Sequence, residues 1–393
     1  MTDRERILAA VRGDPVDRIP WAPRLEFWYR GRKRKGTLPA ELEGLTLPEV
    51  TDRLGVAHYA VVPDFTDCPE DPPMADRALG VMVPTVAPFR VHFDGVERRV
   101  RQDGPRLTVE YETPFGTVRT ESVYTEESLD AGASVPWVTR NPIQGPADFD
   151  AVAYVYEHLR VTPCLDGYLR ARERIGDRGI VVAFTSGTAC PTHHIMKDLL
   201  EVEKFFYARV DYPDKIARLA EAVQPFFDGI QAAAAASPAE VVHLGGNYDD
   251  AITYPAFFAQ DILPALKKYG AELHAIGKYL LTHTDGENRR LFPLYLQAGF
   301  DVADSVCPAP MTRCTFDEIV EAFQGKVTIW GGIPSVLLCA DSASWEDFRA
   351  FIDGLLARYG HSSRLILGVS DMVTVDCEWD RLQYITDQVA RLA

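Results

Sequence analysis

Short apolar runs that alternate with amphipathic helical patterns are the feature that most constrains the fold of this chain. From Gly179 onward the apolar runs have the length of strands, and helical patterns separate them. The strand candidates are Ile180–Thr185, Glu240–Gly245, Tyr279–Thr284, Phe300–Val306, Lys326–Gly331 and Arg364–Val369. The helix candidates include Asp214–Ala236, Pro255–Tyr269, Phe316–Phe323 and Trp345–Tyr359. This rhythm predicts a parallel α/β sheet, because parallel strands need crossover connections that are usually helices.

The first part of the chain adds two strand candidates, which brings the total to eight. Arg18–Leu25 has the pattern of a strand, and Tyr59–Phe65 is a second one that ends near Asp64 and Asp67. The predicted helices here are Asp3–Arg12 and Leu45–Leu54. Eight strands that alternate with helices favour a closed (β/α)8 barrel of the TIM type over an open doubly wound sheet. No Gly-x-Gly-x-x-Gly follows a strand candidate, which argues against a dinucleotide-binding fold.

The segment from about Pro84 to Glu126 has a different texture. Its apolar and polar residues alternate with a period of two, and Asp94-Gly95 and Asp103-Gly104 are strong hairpin turn signals. We therefore expect an antiparallel β insertion near residues 84–126, carried by a single barrel domain that spans residues 1–393.

Composition and charge exclude several classes of function. The formal net charge of −16 argues against a nucleic-acid partner, which would need a basic surface. The seven cysteines include no Cys-x-x-Cys pair. The start of the chain is charged, and no apolar run could span a bilayer, so we expect a cytoplasmic protein without a membrane partner. The dense basic run Arg30–Lys35 is either a solvated loop or a clamp for an anionic substrate.

His283 and Asp285 stand at the end of the strand candidate Tyr279–Thr284. They are two residues apart, so both side chains lean to the same face of the strand. In parallel sheets and barrels, ligands bind at this carboxyl end of the strands. The pair could form half of a metal site or an acid–base pair. Alternatively, His283 is a buried core residue and Asp285 caps the next helix.

Polar residues also follow the neighbouring strand candidates. They are Cys190, His193 and His194 after the third strand, Asn247, Asp249 and Asp250 after the fourth, Asp304 and Cys307 on the sixth, and Ser370-Asp371 after the eighth. In a barrel these ends converge on one mouth. We expect Asn247, Asp249 and one of the two adjacent histidines to line the same cavity as His283. In this interpretation Asp249 is catalytic together with His283 and Asp285.

The chain resembles the uroporphyrinogen decarboxylase superfamily, and within it the branch of corrinoid-linked methyltransferases. The motifs that carry the resemblance are Asp17-Arg18-Ile19-Pro20, Thr113-Pro114-Phe115-Gly116-Thr117, Asp261-Ile262-Leu263-Pro264, His283-Thr284-Asp285-Gly286 and Gly368-Val369-Ser370-Asp371. Each motif is loose, and the resemblance rests on their order and spacing over nearly the whole chain. The resemblance implies a (β/α)8 barrel, in agreement with the strand count.

The resemblance also implies a metal site, with altered ligands. Thiol-activating methyltransferases of this branch hold zinc with a His-x-Cys pair and a distant cysteine. In this chain Asp285 and Asp371 stand where those cysteines are expected, which predicts a site of His283, Asp285 and Asp371 for zinc or another divalent metal. Carboxylate oxygens are chemically harder ligands than thiolates, so such a site suits an oxygen leaving group better than a thiolate. The closing Gly-His-Gly of the true decarboxylases is missing, and Arg24, Arg30 and Arg32 match their arginine motif only in part.

These features imply a methyltransferase that moves a methyl group from a small O-methyl donor to a corrinoid (cobalamin), which is free or carried on a partner protein. A metal or an acid would assist the leaving oxygen. Arg24, Asn247, His193 and His194 are the candidate residues for binding substrate or cofactor, and a homodimer is compatible with this interpretation. One alternative is a cofactor-free decarboxylase that acts on a tetrapyrrole or another carboxylate. The other is a non-catalytic member that binds a tetrapyrrole or a partner.

Overall fold

The structure is a computed structural model that describes residues 1–61 and 74–392. A six-stranded parallel sheet forms most of its centre. In spatial order its strands are Ala183–Ser186, Val241–Gly246, Tyr279–His283, Val302–Val306, Thr328–Pro334 and Leu365–Ser370. Beyond one edge, Gly179–Val181 leads directly into the first of these strands and pairs in parallel with His58–Ala60. At the other edge, Leu367 pairs in parallel with Trp21.

Backbone hydrogen bonds join these segments into a ring. The Ala57 amide donates to the Trp21 carbonyl at 2.9 Å, and the Val182 amide donates to the Ala60 carbonyl at 2.9 Å. Side chains from the segments around the ring form one interior cluster: Ala22, Tyr59, Val182, Val241, Leu281, Val302, Trp330 and Ile366. This arrangement confirms the predicted (β/α)8 barrel. The first strand of the ring is reduced to the bridge at Trp21, which is much shorter than the predicted Arg18–Leu25.

The helix Asp3–Arg12 closes the end of the barrel at which the strands begin. It is predicted correctly, and Ile7, Ala10 and Val11 join the interior cluster. The Thr328 hydroxyl, at the start of its strand, donates to the Ala10 carbonyl at 2.7 Å. Because this end of the barrel is filled, a cavity can form only towards the carboxyl ends of the strands.

Helices surround the barrel, and several have the predicted bounds. Phe316–Phe323 begins with a capping box, in which the Thr315 hydroxyl and the Glu318 carboxylate each accept from the other's backbone amide, and it buries Ile319 and Phe323. The α-helices of the described chain are Asp3–Arg12, Glu26–Lys35, Leu47–Leu54, Glu126–Asp130, Asp148–Glu157, Asp166–Ile175, Pro191–His194, Val202–Asp211, Pro213–Ala236, Pro255–Phe257, Leu263–His274, Phe292–Ala298, Phe316–Phe323, Trp345–Tyr359 and Trp379–Ala390. Ile195–Leu199 and Phe258–Ile262 are π-helical, and the 3₁₀ turns are Ala40–Leu42, Ala75–Leu79, Gly176–Arg178 and Ser335–Leu338.

The insertion is antiparallel, as predicted, but it is longer than residues 84–126. A four-stranded sheet contains, in order, Glu97–Asp103, Arg106–Thr113, Gly116–Val123 and Trp137–Arg140. A separate pair joins Phe89–Phe93 to Leu159–Pro163. The strand Trp137–Arg140 lies beyond the predicted insertion; it has only four residues, and its Trp137 is exposed.

One prediction for the first part of the chain changes, and another falls partly outside the described residues. The basic run Arg30–Lys35 is not a loop but the last part of the helix Glu26–Lys35. This helix ends where Gly36 adopts a left-handed conformation. The second barrel strand is described only over His58–Ala60. The predicted ends of that strand, Asp64 and Asp67, lie outside the described residues.

Over residues 1–61 and 74–392, no helix combines the length and the apolar character needed to cross a bilayer.

Candidate active site at the barrel mouth

A cavity of about 470 Å³ lies at the carboxyl ends of the barrel strands. Strand ends and the loops that follow them supply its walls, which combine charged side chains with a few apolar ones. The lining residues are Arg24, Phe27, Val61, Arg77, Met82, Ser134, Val135, Phe184, Gly187, Lys197, His243, Gly246, Asn247, His283, Asp304, Asp371 and Met372. The position agrees with the expectation that ligands bind where parallel strands end.

The His283 imidazole is surrounded by three carboxylates. Its Nδ1 is 2.7 Å from Oδ2 of Asp304, the residue directly paired with it on the next strand. Its Nε2 is 3.3 Å from Oδ1 of Asp371 and 3.6 Å from Oδ1 of Asp285. The structure therefore brings together the three side chains that the sequence pattern combined, and it adds Asp304. Of the three, His283 and Asp371 line the cavity, and Asp285 contacts His283 and Asn247 from outside the lining set.

This environment favours the protonated imidazole. Burial by itself disfavours the charged form, but the carboxylates of Asp285, Asp371 and Asp304 outweigh it and raise the pKa of His283 to about 9. At neutral pH His283 is an imidazolium with two N–H donors. Nδ1–H donates to Asp304, and Nε2–H points towards the carboxylates at the mouth.

Neighbouring donors fix both carboxylates at the mouth. Asp371 accepts from the Ser305 hydroxyl at 3.0 Å and pairs with the buried Arg24, whose Nη1 is 3.3 Å away. Burial would raise the pKa of Asp371, yet His283 and Arg24 lower it. The Asn247 amide donates to both oxygens of Asp285, each at 3.1 Å. Asn247 has a φ of 56°, a left-handed conformation that asparagine adopts more readily than most residues.

Lysine and arginine side chains form a cationic wall of the cavity. The Lys197 ammonium donates to the Gly187 carbonyl at 3.2 Å and to Oδ1 of Asn247. Burial lowers the pKa of Lys197. Arg77 also lines the cavity, and its Nη1 is 2.8 Å from Oδ1 of Asp198. Lys197 thus reaches Asp285 through Asn247 and is part of the same polar network as His283.

His243 is a second imidazole in the cavity wall, and it is neutral. Its Nε2 lies 2.9 Å from the Gly245 carbonyl, so the proton is on Nε2. Burial and the nearby His283 lower the pKa of His243 to about 4. Its buried Nδ1 has no hydrogen-bond partner within the described part of the chain. His243 therefore contributes a neutral ring to the cavity wall, and its acceptor nitrogen is buried.

Three candidate residues lie elsewhere. Neither His193 nor His194 is among the described residues that line the cavity. This corrects the expectation that one of them faces His283. His194 bonds to the Tyr156 hydroxyl at 2.7 Å, in the packed layer behind the strands. His193 accepts from the Ala189 amide at 3.2 Å. Both are fully buried because the helix Pro191–His194 turns its histidines inward, away from the mouth.

Asp249 is the third candidate residue that lies away from the cavity. Its Oδ1 accepts from the Ala251 amide at 2.9 Å and from the Ile252 amide at 3.4 Å. It is also not among the described residues that line the cavity. This arrangement is a local turn in which the carboxylate binds its own backbone. Asp249 therefore stabilises its own loop. It is not positioned to contact a ligand in the cavity.

The three side chains of the predicted metal site lie close together, with Nε2 of His283 3.3 Å from Oδ1 of Asp371 and 3.6 Å from Oδ1 of Asp285. The described part of the chain contains no group of three His, Cys, Asp or Glu side chains arranged to hold a metal ion. Each of the three side chains also has contacts with other residues or with one another. The Nε2 proton of His283 faces Asp285 and Asp371, Asp371 is bound by Arg24 and Ser305, and Asp285 is bound by Asn247. The metal site formed by His283, Asp285 and Asp371 thus stays a prediction.

Comparisons with known proteins agree with this fold. A solved structure of similar fold is a methyltransferase from Methanosarcina mazei, with a TM-score of 0.50 and 14% sequence identity, in an alignment that covers 100% of this chain and 99% of that one. No curated protein matches the chain significantly. The model of the uroporphyrinogen decarboxylase (URO-D) family matches residues 128–392, which is more than half of the chain. The chain therefore belongs to the uroporphyrinogen decarboxylase (URO-D) family.

Proposed function

We propose that this protein is a methyltransferase that moves a methyl group from a small O-methyl donor to a corrinoid, with the His283 imidazolium as the proton donor. The observation that carries the proposal is the position of His283 at the barrel mouth, with Nδ1 held by Asp304 and Nε2 facing Asp285 and Asp371. The family membership and the fold shared with a methyltransferase support it.

The chemistry requires a proton at the leaving oxygen. When the O–CH3 bond breaks, the oxygen takes the bonding electron pair, and an alkoxide or phenoxide would be a poor leaving group without stabilisation. Nε2–H of His283 can supply that proton, so the O–CH3 and N–H bonds break while an O–H bond forms. The corrinoid, when bound, supplies the nucleophile that accepts the methyl group.

The other lining residues have supporting roles. Asp304 fixes the orientation of the imidazole through Nδ1, as carboxylates do for histidines that act in catalysis or metal binding. Part of the cavity wall is apolar and suits the organic part of a donor; it is formed by Phe27, Met82 and Phe184. The cavity lies at the end of the barrel opposite the helix Asp3–Arg12, so a free or protein-bound corrinoid reaches it from outside.

A metal at the same place is the competing form of this proposal. A divalent ion bound by His283, Asp285 and Asp371 would stabilise the leaving oxygen as a Lewis acid. That arrangement would require Nε2 to lose its proton and Asp371 to loosen its contact with Arg24. The two forms predict different metal contents for the active protein.

A spectral assay tests the proposal. The purified chain is mixed with cob(I)alamin and a panel of small methoxylated alcohols, phenols and acids, and the loss of the cob(I)alamin absorbance is followed. Demethylated product is identified by mass spectrometry. We expect turnover with at least one donor, and we expect it to be at least about 100-fold slower in His283→Gln. Equal rates with and without the protein for every donor would overturn the proposal.

Decarboxylation is the second candidate, and one specific observation favours it. The cavity contains the carboxylate-binding side chains Arg24, Arg77 and Lys197 beside the acid Asp371. This set matches what a cofactor-free decarboxylase of tetrapyrroles or other carboxylates would need. Release of CO2 from a porphyrinogen carboxylate, without any corrinoid, would support this candidate. Tight binding of a tetrapyrrole with no turnover in either assay would instead support a non-catalytic member.

A further inference from the structure

Cys339 and Cys377 lie in direct contact behind the last two loops of the barrel mouth. Their Sγ atoms are 3.8 Å apart, although 38 residues separate them in sequence. Cys339 follows the 3₁₀ turn Ser335–Leu338, and Cys377 lies between the last strand and the helix Trp379–Ala390. We propose that these two thiols are a redox site that forms a reversible disulfide.

The backbone around the two cysteines is compatible with this bond. The Glu378 amide donates to the Leu338 carbonyl at 2.9 Å, so the two chain segments lie side by side at the positions next to the cysteines. A disulfide needs an S–S separation of about 2.05 Å. The two sulfur atoms must therefore approach by about 2 Å, which rotation of the side chains and a small shift of the loops can provide.

The two thiols are not equivalent, and the difference sets the order of the steps. The hydrogen bond between the two sulfur atoms lowers the pKa of Cys339, while the same bond and burial raise the pKa of Cys377. Cys339 is also the more accessible of the two, since it is partly exposed and Cys377 is fully buried. Cys339 is thus the attacking thiolate and Cys377 the resolving thiol.

The reaction balances with a peroxide as the oxidant. The Cys339 thiolate attacks one peroxide oxygen, the O–O bond breaks, and Cys339 becomes a sulfenic acid. The hydroxide that leaves takes up the proton that the Cys339 thiol had released and becomes the first water. The Cys377 sulfur then attacks the Cys339 sulfur, and its proton leaves with the hydroxyl group as water. In sum, two thiols lose two hydrogen atoms and hydrogen peroxide is reduced to two molecules of water.

The disulfide would act on the candidate site through the segment that carries Asp371. The Cys377 carbonyl accepts from Nε1 of Trp28 at 2.8 Å and from Nη2 of Arg32 at 2.9 Å. In the same segment, the Val373 amide donates to the Arg24 carbonyl at 2.9 Å. A shift of Cys377 towards Cys339 would therefore be transmitted to the backbone that positions Arg24 and Asp371.

Disulfide mapping of the full wild-type chain tests the proposal. The fully reduced protein is treated with one equivalent of hydrogen peroxide, denatured in an alkylating agent, digested and analysed by mass spectrometry. We expect a peptide that links Cys339 to Cys377 and that dithiothreitol releases. Cys307 and Cys314, which are buried at the same end of the barrel, are internal controls and should be alkylated as free thiols.

Single variants separate the roles of the two thiols. Cys377→Ser should leave a Cys339 sulfenic acid that a dimedone probe traps, while Cys339→Ser should leave Cys377 unmodified at the same peroxide dose. The proposal is overturned if both thiols of the wild-type chain stay free at that dose, if Cys339 proceeds to sulfinic acid without a linkage, or if either cysteine links to another partner. None of these readouts depends on the proposed enzymatic activity.

Discussion

His283 and Asp304 face each other directly across two neighbouring parallel strands, and Nδ1 of the imidazole lies 2.7 Å from the carboxylate. This register pair fixes the ring, so that Nε2 points to the mouth of the barrel between Asp285 and Asp371. A rigid strand pair therefore holds the proton donor, while residues beyond the strand ends complete its surroundings. Such a division is typical of barrel enzymes, in which the scaffold is stable and the loops carry specificity.

The first prediction concerns His283→Gln. Glutamine retains a hydrogen-bonding side chain but cannot donate a proton to a leaving oxygen. We expect methyl transfer to fall by at least about 100-fold, the lower limit for loss of a general acid, with an unchanged circular dichroism spectrum. His274→Gln is the matched control, since His274 is an exposed histidine that also pairs with an aspartate, Asp301, at 2.8 Å. Near-normal turnover in His283→Gln would contradict the proton-donor role.

The second prediction concerns Asp304→Asn, which removes a negative charge but keeps the size of the side chain. Asp304 is one of the carboxylates that raise the pKa of His283 to about 9. Its loss should lower that pKa, and NMR titration of the His283 ring should show the shift. The high-pH limb of the activity profile should move to lower pH with it. Asp301→Asn serves as a control that leaves the profile in place, and an unmoved His283 titration would refute the argument.

The third prediction concerns the pH dependence of stability. The pKa of His283 is about 9 in the folded protein, above the usual value of 6.5, so the folded state holds this proton more tightly than the unfolded state. The stabilisation is complete below about pH 6.5 and is lost as the pH rises through about 9. Urea unfolding across this range should show a steeper loss of stability in the wild type than in His283→Gln. Parallel curves for the two proteins would count against the raised pKa.

The sequence predicts the barrel because its signals are local. Apolar runs such as Tyr279–His283 and Leu365–Ser370 are short and regularly spaced, and capped helices such as Phe316–Phe323 separate them. Trp137–Arg140 was not predicted although Trp137, Val138 and Thr139 favour strands, because the strand has only four residues and its pairing with Gly116–Val123 is set by the neighbouring strand. Four residues are the lower limit of the length over which alternation identifies a strand.

The candidate site could be predicted only in part, for a related reason. His283, Asp285 and Asp371 stand at strand ends, which converge in any barrel. The partnership of His283 with Asp304 depends on the register between two strands, which a single sequence does not specify. Asp304 was among the polar strand residues expected at the mouth, but its role as the partner of His283 was not foreseen. The signal that could have indicated His243 is a titratable residue inside an otherwise apolar strand run.

Residues that follow the strands are harder to place. His193 and His194 come after a barrel strand just as Asn247 does, yet only Asn247 lines the cavity. The direction in which the chain leaves the strand decides the outcome, and the helix Pro191–His194 turns its histidines into the layer behind the sheet. Lys197 reaches the cavity from the π-helical turn Ile195–Leu199, a conformation for which the sequence offers no clear pattern.

The last prediction separates the proton donor from the predicted metal site. Zinc could bind His283 only as the neutral imidazole, so binding must release the proton that Asp285, Asp304 and Asp371 hold in place. If His283 is the proton donor, metal-depleted protein should retain full methyl transfer. Zinc titrated into it by calorimetry should bind weakly at neutral pH and more tightly as the pH approaches about 9.

Asp371→Asn should then lower the pKa of His283 without changing the metal content of the purified protein. Stoichiometric zinc in the wild type, lost together with activity in Asp371→Asn, would instead identify the ion as the group that stabilises the leaving oxygen.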